Sequence, residues 1–565
     1  MPESPLRVVL CWHMHQPQYR DLVSGQYRMP WTYLHAIKDY ADMATILESI
    51  PEGRAVVNFA PVLLDQINDY ADQIRAFLVD SRALRDPLLD ALSTPVLPAD
   101  PDRRLSLIRQ CLRANEKRLI ERFEPYRRLA DLARTLTDKV GSLRYINEDF
   151  LGDLLSWYHL AWLGETVRRE DDRVKRLLKK EAGYSLHDRR ELLSIIGEIL
   201  SGLIPRYRAL SERGQVELSM SPYDHPIMPL MIDLHSARDA DDSLKLPMLP
   251  AYPGGEERVR WHIERGQEAF CRYFGSRPRG CWPSEGGVSE PVLRILAEHG
   301  FEWVASGEAV MHNSLRRSSM GAERCHHHPF RLNGISLSCF FRDDNLSDLI
   351  GFSYSDWQSG DAVNNLIHHL ESIAAACKDQ NNGVASIIMD GENAWEHYPF
   401  NAYYFLATLY ERLSSHPSLQ LTTFAECVDA GLDGGPLNTL VAGSWVYGTF
   451  STWIGSPDKN RGWELLAEAK QHFDAAVEDG RLAGARLEAA TRQLAVCEGS
   501  DWYWWLGDYN PAESVSEFES LFRSHLANLY TLIGDEPPHA LTQPLSHGSG
   551  APEQGGTMRR SHENP

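Results

Sequence analysis

Two carboxylates, Glu285 and Asp390, each close an apolar run and each stand among tryptophan and glycine. The first lies in Cys281-Trp282-Pro283-Ser284-Glu285-Gly286-Gly287, where the proline withdraws a backbone donor and the glycines admit a close backbone approach, so the segment reads as a turn. The second follows Val384-Ala385-Ser386-Ile387-Ile388-Met389, a run of buried-strand type, and opens Asp390-Gly391-Glu392-Asn393-Ala394-Trp395-Glu396-His397-Tyr398. Three carboxylates and two aromatics in so short a stretch are expensive to bury without a polar task. Glycoside hydrolysis supplies one. It needs a carboxylate that attacks or activates water, a carboxylic acid that protonates the leaving oxygen, and aromatic faces for pyranose rings.

Either segment alone reads more readily as an ordinary turn. A third segment points the other way: His13-Met14-His15-Gln16-Pro17 directly follows the apolar run Val8-Val9-Leu10-Cys11-Trp12. A strand continuing through it places His13 and His15 on one face, by the two-residue period of a strand. Three strand ends carrying polar clusters describe the rim of a parallel barrel or sheet, where active sites gather.

In this order the segments resemble glycoside hydrolase family 57, specifically its α-amylase and amylopullulanase-like branch. His13-Met14-His15-Gln16-Pro17 resembles the family's first motif. Gln215-Val216-Glu217-Leu218 with Ser221-Pro222-Tyr223-Asp224-His225-Pro226-Ile227 resembles the second. Trp282-Pro283-Ser284-Glu285-Gly286 resembles the third, which in the family carries the nucleophile, and Asp390-Gly391-Glu392-Asn393-Ala394-Trp395-Glu396 the fourth, which carries the acid/base. Phe341-Arg342-Asp343, Leu346 to Phe352, and Gly443-Ser444-Trp445 through Trp453-Ile454-Gly455 are similar as well.

The resemblance implies a retaining enzyme on α-glucans such as glycogen, starch or maltodextrin, with α-1,4 bonds as main target and α-1,6 bonds as a further one. Glu285 is the implied nucleophile and Asp390 the acid/base, the latter with its pKa raised by burial and by the Glu285 charge. His13, His15 and His225 are the implied hydroxyl ligands beside the nucleophile, and Trp282, Trp395 and Trp453 the stacking faces. Arg342 and Asp343 stand as hydroxyl ligands or structural partners in equal measure. Glu396 and Glu392 position Asp390 or bind hydroxyls, and Glu217 plays a supporting part. In Asp501-Trp502-Tyr503-Trp504-Trp505 the four adjacent aromatics cannot share one helix face; the resemblance assigns at least one of the segment, with Asp501 and Trp502 foremost, to the cleft. No cofactor and no metal are implied.

Rival readings remain open at this stage. Glu308 also ends a strand-like run but lacks the Trp-Pro turn. A metal-dependent hydrolase or deacetylase would use His13, His15, Asp390 and another histidine, since His-x-His is a legitimate ligand spacing. The run Cys325-His326-His327-His328 invites a metal reading too, but reads first as a polar loop. A glucan-binding protein on an inactive barrel is the alternative outside enzymology. Transfer to a sugar hydroxyl, as in a 4-α-glucanotransferase or a branching enzyme, shares the same covalent intermediate as hydrolysis.

The 565 residues provide for more than one domain-sized core. Fifteen Trp and 22 Tyr suit a carbohydrate cleft. A net charge of −21 argues against nucleic acid or an anionic membrane as partner, because no basic field is present to release counterions. Nine scattered cysteines read as reduced thiols without a disulfide framework. With no membrane-length apolar run and no cleavable leader, a cytoplasmic enzyme is expected.

Strands are expected near Val8–Trp12, Ala55–Ala60, Val216–Met220, Gly280–Trp282, Trp303–Ser306 and Val384–Met389, with helices between them. Leu63, Leu64, Ile67, Tyr70, Ile74, Phe77 and Leu78 mark one amphipathic helix. Periodicity allows an α/β fold with either an open doubly wound sheet or a barrel. The resemblance narrows this to an incomplete (β/α)7 barrel over residues 1–400, with helical insertions at about 61–210. A mainly helical C-terminal bundle over 401–534 contributes to the cleft, and residues 535–565, rich in Pro, Gly, Ser and His, are expected to be disordered.

Overall fold

Every apolar run named above forms a strand in the computed structural model, which describes residues 5–137, 140–318, 327–377, 382–432 and 434–550. The strands are β1 (Leu6–Met14), β2 (Ala55–Phe59), β3 (Val216–Met220), β4 (Gly280–Cys281), β5 (Trp303–Ser306), β6 (Phe330–Leu332), β7 (Ser338–Phe341), β8 (Val384–Asp390), β9 (Leu419–Thr422) and β10 (Pro436–Leu437). Seven of them lie in the order β7-β5-β4-β3-β2-β1-β8, each parallel to its neighbour. A parallel bridge between Arg342 and Ser386 joins the end of β7 to β8, so the sheet curls until its first and last strands touch. The expected incomplete (β/α)7 barrel is therefore the architecture. Outside it, β9 runs beside the first half of β1, β6 is antiparallel to β7, and β10 pairs with β6.

Register explains how the barrel makes a site. His13 is level with Asn58 on one side and Asp390 on the other, and Asn58 is level with Ser219. Two residues earlier, Cys11 is level with Val56 and Ile388. Because side chains alternate, Val9, Cys11, Val56 and Ile388 fill the barrel interior with Trp282, Trp303 and Phe340, while Val8, Leu10, Trp12 and Met14 face the surrounding helices. The polar layer of His13, Asn58, Ser219 and Asp390 is thus the next storey above an apolar plug, at the strands' C-terminal end.

Between β2 and β3 the chain is helical throughout its described part, as expected. Pro61–Asp80 begins with proline at its first turn and buries Leu63, Leu64, Ile67, Tyr70 and Ile74, whereas Leu78 ends 48% exposed, beyond the contact stripe. The charged stretch that follows contains Pro101–Cys111 and Glu124–Thr137, joined through a π-helical turn, Glu116–Ile120. The helix Leu186–Glu212 lies against Pro61–Asp80 and returns the chain to β3.

Three expectations need correction. The sheet takes β9 and β10 from beyond residue 400, so a boundary there cuts through the sheet rather than beside it. Cys377 is disulfide-bonded, while seven other cysteines are free thiols, six of them buried. Residues 535–550 are ordered by contacts that composition does not reveal: Leu541 and Ser546 are buried, Arg523 donates to the Leu541 carbonyl, and Gly507 N–H donates to Ser546 Oγ at 2.9 Å. The remainder of the expected tail lies outside the described residues. No helix among the described residues is long and apolar enough to cross a membrane.

Candidate active site

A cavity of about 460 Å³ opens over the polar layer and receives Glu285 from the turn after β4, Asp390 from the end of β8, and Asp501 from the short helix Asp501–Trp505. Glu285 sits in left-handed backbone (φ 56, ψ 28), a conformation that is unfavourable by about 1–2 kcal/mol for a non-glycine residue. The turn is pinned from both sides: Ser306 Oγ donates to the Gly286 carbonyl at 2.6 Å, and Trp445 N–H donates to the Glu285 carbonyl at 3.1 Å. Trp445 Nε1 also donates to Glu285 Oε2 at 3.0 Å. Burial, then the charges of Asp501 and Asp390, push the Glu285 carboxyl up to about 8, against the hydrogen bonds from Trp445 and Ser500. Burial likewise raises Asp390, to which Asn393 Nδ2 donates at 2.8 Å. The two carboxyls therefore titrate as a coupled pair in one water-poor site.

The three histidines form a stack beside Glu285. His15 and His225 lie ring on ring at 3.8 Å, and His13 lies 5.1 Å from His225. Asn58 bonds His13 Nδ1 at 2.7 Å, Ser500 Oγ bonds His225 Nδ1 at 2.9 Å, and Asp501 takes His15 Nε2 at 2.9 Å. Burial pushes His13 down to about 3 and His225 well below the usual imidazole value, so both are neutral hydrogen-bonding groups at physiological pH. His225 stands in left-handed backbone (φ 60), and its Nε2 is buried without a protein partner.

His15, His225 and Asp501 bring ligand atoms within 4.8 Å of one another, the one such cluster among the described residues. It differs from the metal set considered above, since it contains neither His13 nor Asp390. The His15 and His225 rings are stacked with an interplanar angle of 20°, and Asp501 already engages His15 with both oxygens. This geometry suits sugar hydroxyls better than one ion. Of the other metal suggestion, Cys325 and His326 lie outside the described residues; His327 bonds Asp343 at 2.9 Å, and the His328 ring packs at 4.4 Å from Phe330.

Arg342, Glu396 and Glu392 also line the cleft, with Glu392 accepting from Gln16 Nε2 at 3.0 Å. Arg342 is anchored by Asp344, by Asp348 at 2.9 Å and by the Ile388 carbonyl, and its guanidinium faces Trp445 at 5.5 Å. Asp343 does not line it: its carboxylate caps the helix Asp344–Asp348 by accepting from Leu346 N–H at 2.8 Å. Glu308 begins the helix Glu308–Arg317, pairs with His312 and accepts from Asp344 N–H, away from the cleft. Glu217 is level with Cys11's inward layer, below the site, where it accepts from Trp303 Nε1 at 2.6 Å and Ala425 N–H at 2.8 Å.

The three expected stacking faces, Trp282, Trp395 and Trp453, together with Trp502, which was expected at the cleft, are the main correction. Trp282 is the barrel plug; Trp395 packs edge-on against Trp12 at 5.5 Å; Trp453 lies against Trp504; Trp502 stacks on Phe522 and donates to the Val496 carbonyl. All four are buried and none lines the cavity. The walls are built instead by Trp31, Trp162, Trp445, Trp504, Trp505 and Phe518. Asp501–Trp505 divides as helical geometry demands, with Trp502 and Tyr503 in the bundle core and Asp501, Trp504 and Trp505 on the cleft. Trp445 stood inside a motif-like segment; Trp31 and Trp162 carried no motif signal.

Comparison with known proteins bears on this arrangement in two ways. The family model for glycosyl hydrolase family 57 matches residues 9–434, from β1 to just before β10. Among solved structures, the chain is similar to the family 57 branching enzyme of Pyrococcus horikoshii (16% identity, 96% of this chain and 94% of that chain, TM-score 0.57). It is also similar to the branching enzyme of Thermococcus kodakaraensis (15% identity, 96% and 94%, TM-score 0.58) and to an α-amylase of Thermotoga maritima (13% identity, 94% and 93%, TM-score 0.57). A search of curated proteins matches none. With the seven-stranded barrel, the carboxylates on its C-terminal rim and a family match over most of the sequence in agreement, the chain belongs to glycosyl hydrolase family 57.

Proposed function

We propose that the protein is a retaining enzyme of α-glucans, with Glu285 as nucleophile and Asp390 as acid and base. The observation that carries the reading is the placement of these two carboxyls at the C-terminal ends of β4 and β8 in one cavity, close enough for the charge of Asp390 to act on Glu285. In the first step, from the state of the pair in which Glu285 is ionised and Asp390 holds the proton, a Glu285 oxygen bonds to the anomeric carbon while the glycosidic C–O bond breaks and Asp390 gives its proton to the leaving oxygen. In the second, Asp390 takes a proton from the incoming hydroxyl, whose oxygen bonds to the anomeric carbon and releases Glu285. Two inversions give retention. His225 Nε2 and the imidazoles stacked with it hold hydroxyls of the sugar bonded to Glu285, and Arg342 and Glu396 line the remaining polar wall. Trp445 supports the nucleophile through its indole N–H.

The acceptor is proposed to be water and the substrate an α-1,4-glucan or maltodextrin, a reading that the structural likeness to an α-amylase supports. A branching reading has its own support, since two branching enzymes correspond to this chain over nearly their whole length. A cytoplasmic setting is proposed because seven free thiols stand against one disulfide-bonded cysteine, Cys377, among the described residues. Product analysis of wild type, Glu285→Gln and Asp390→Asn on maltodextrin, glycogen and pullulan, with and without chelator, tests all of this. Release of α-anomeric products, insensitivity to chelator and loss of activity in both folded variants are expected. New α-1,6 linkages without reducing ends would select branching. Activity abolished by chelator, or retained in the variants, would overturn the assignment.

A further inference from the structure

Trp31, His35 and Trp162 form a wall of the cleft that the mechanism above leaves unused. His35 ends the helix Trp31–His35, and the chain continues directly into one π-helical turn, Ala36–Tyr40. Single π turns are rare and concentrate at functional sites. Here the turn holds a buried relay. Asp39 accepts from His35 Nδ1 at 2.8 Å with one oxygen and from Lys38 Nζ at 2.6 Å with the other. Lys38 also donates to Asn401 Oδ1 at 3.2 Å and lies 5.2 Å over the Trp162 ring. Asn401 Nδ2 donates to Asp42, whose carboxylate receives the first backbone N–H groups of the helix Glu165–Glu170.

A purely structural role explains this relay poorly. A buried ion pair gives little net stability relative to apolar packing. Asn401 is delivered into it by three successive left-handed residues, Phe400, Asn401 and Ala402 (φ 55, 51 and 57), of which Phe400 and Ala402 are each unfavourable by about 1–2 kcal/mol. The relay ends at the one member that reaches the cavity. With Nδ1 committed to Asp39, Nε2 is the polar atom that His35 has for a ligand. Its ring stands edge-on to Trp162 at 5.7 Å and 6.4 Å from Trp31, and Arg113 covers one face of Trp31. Indole faces around an imidazole nitrogen fit the apolar face and the hydroxyl edge of a pyranose. Through Lys38 and Asn401 the relay is joined to the segment that leaves β8 after Asp390, so the His35 wall belongs to the acid/base side of the cleft.

We propose that His35, positioned by Asp39, binds a hydroxyl of the leaving or acceptor sugar and so sets the preference for glucan on that side of the scissile bond. This rests on the reading of Glu285 and Asp390 given above. The test compares maltohexaose with α-maltosyl fluoride, whose leaving group occupies no sugar subsite. The ratio of kcat/KM for maltohexaose over that for the fluoride is expected to fall about ten-fold in His35→Ala, the worth of one neutral hydrogen bond. His35→Gln, which returns a polar atom near the Nε2 position, should recover most of it, and Asp39→Asn should lower it in the same direction. An unchanged ratio in His35→Ala, or no recovery in His35→Gln, overturns the proposal while the site reading stands. Failure of the wild type to cleave either substrate overturns both.

Discussion

Replacing Trp445 by phenylalanine isolates one term in the electrostatics of the site. The indole N–H donates to Glu285 Oε2 at 3.0 Å, and with the Ser500 hydroxyl it opposes burial and the charges of Asp501 and Asp390, which together push Glu285 up to about 8. A hydrogen bond to a charged group is worth about 1.5–3 kcal/mol, and one pKa unit corresponds to about 1.36 kcal/mol, so losing it raises the Glu285 pKa further by about one to two units. The sign follows from the donor's preference for the carboxylate: without it the protonated form gains. Phenylalanine keeps a ring for the edge-on contact with Trp282 at 5.3 Å and for the face toward Arg342. The assay is kcat/KM for maltohexaose across the pH range, because that quantity reports the free enzyme. Its ascending limb, which belongs to the coupled pair, should move to higher pH by about one to two units in Trp445→Phe. At fixed pH below both limbs the variant should be about 10- to 100-fold slower, and the gap should close above them. A uniform loss with an unmoved limb would show that Trp445 merely shapes the cleft, and the account of the Glu285 environment would fall.

Other consequences are open to direct measurement. Asp390→Asn removes a like charge and should lower the Glu285 pKa, the opposite direction to Trp445→Phe, readable by carbon NMR of labelled glutamate; an upward shift would contradict the coupling. Glu498 is buried, with Arg258 at 2.8 and 2.7 Å, His262 at 2.8 Å and Tyr252 at 2.6 Å, and although burial would raise it, Arg258 and His262 hold it down to about 2. Glu498→Gln strands the Arg258 charge and should destabilise by about 3–5 kcal/mol in urea unfolding. The depressed pKa also means that the Glu498 contribution is present above the unfolded-state value and disappears as pH falls from about 4.5 to about 2. Wild type should lose stability over that interval, and the variant should lack this component. In Gly280→Ala the new Cβ would lie 1.7 Å from Trp303 Cε2, so overpacking by about 1–3 kcal/mol or more should lower Tm; an unchanged Tm would show that the Trp303 side chain yields freely.

The parts of this fold that could be read from sequence are those in which one strand carries two periods of information. Residues 9, 11, 13 and 15 alternate inward, so an apolar pair followed by two histidines announces both a barrel interior and a polar layer on top of it. Asp390 continues β8 in the same way, which is why the carboxylate and the histidines were found together. Strands β6, β7, β9 and β10 have only two to four residues and lack the flanking Trp-Pro-Ser-Glu turn that makes the equally short β4 legible. The aromatics are hard to place from sequence for a related reason. Trp282 and Trp395 are close in sequence to the carboxylates, but proximity along a strand end puts such a residue into the barrel plug or the surrounding helices as readily as into the cleft, and here it did so in both cases. The indoles that do face the cavity come from far along the chain, from Trp31 to Trp505, and only the docking of separate helices brings them together. His35 and Asp39 show what remains readable: a histidine and an aspartate four apart on one helical face are a local pair, and what made theirs a feature of the site was long-range, the strained turn at Phe400–Ala402 that delivers Asn401 to Lys38. Chemistry that resides in one strand end is written in a few adjacent letters, whereas the walls that decide which sugar fits are written as strain and burial distributed over the whole chain.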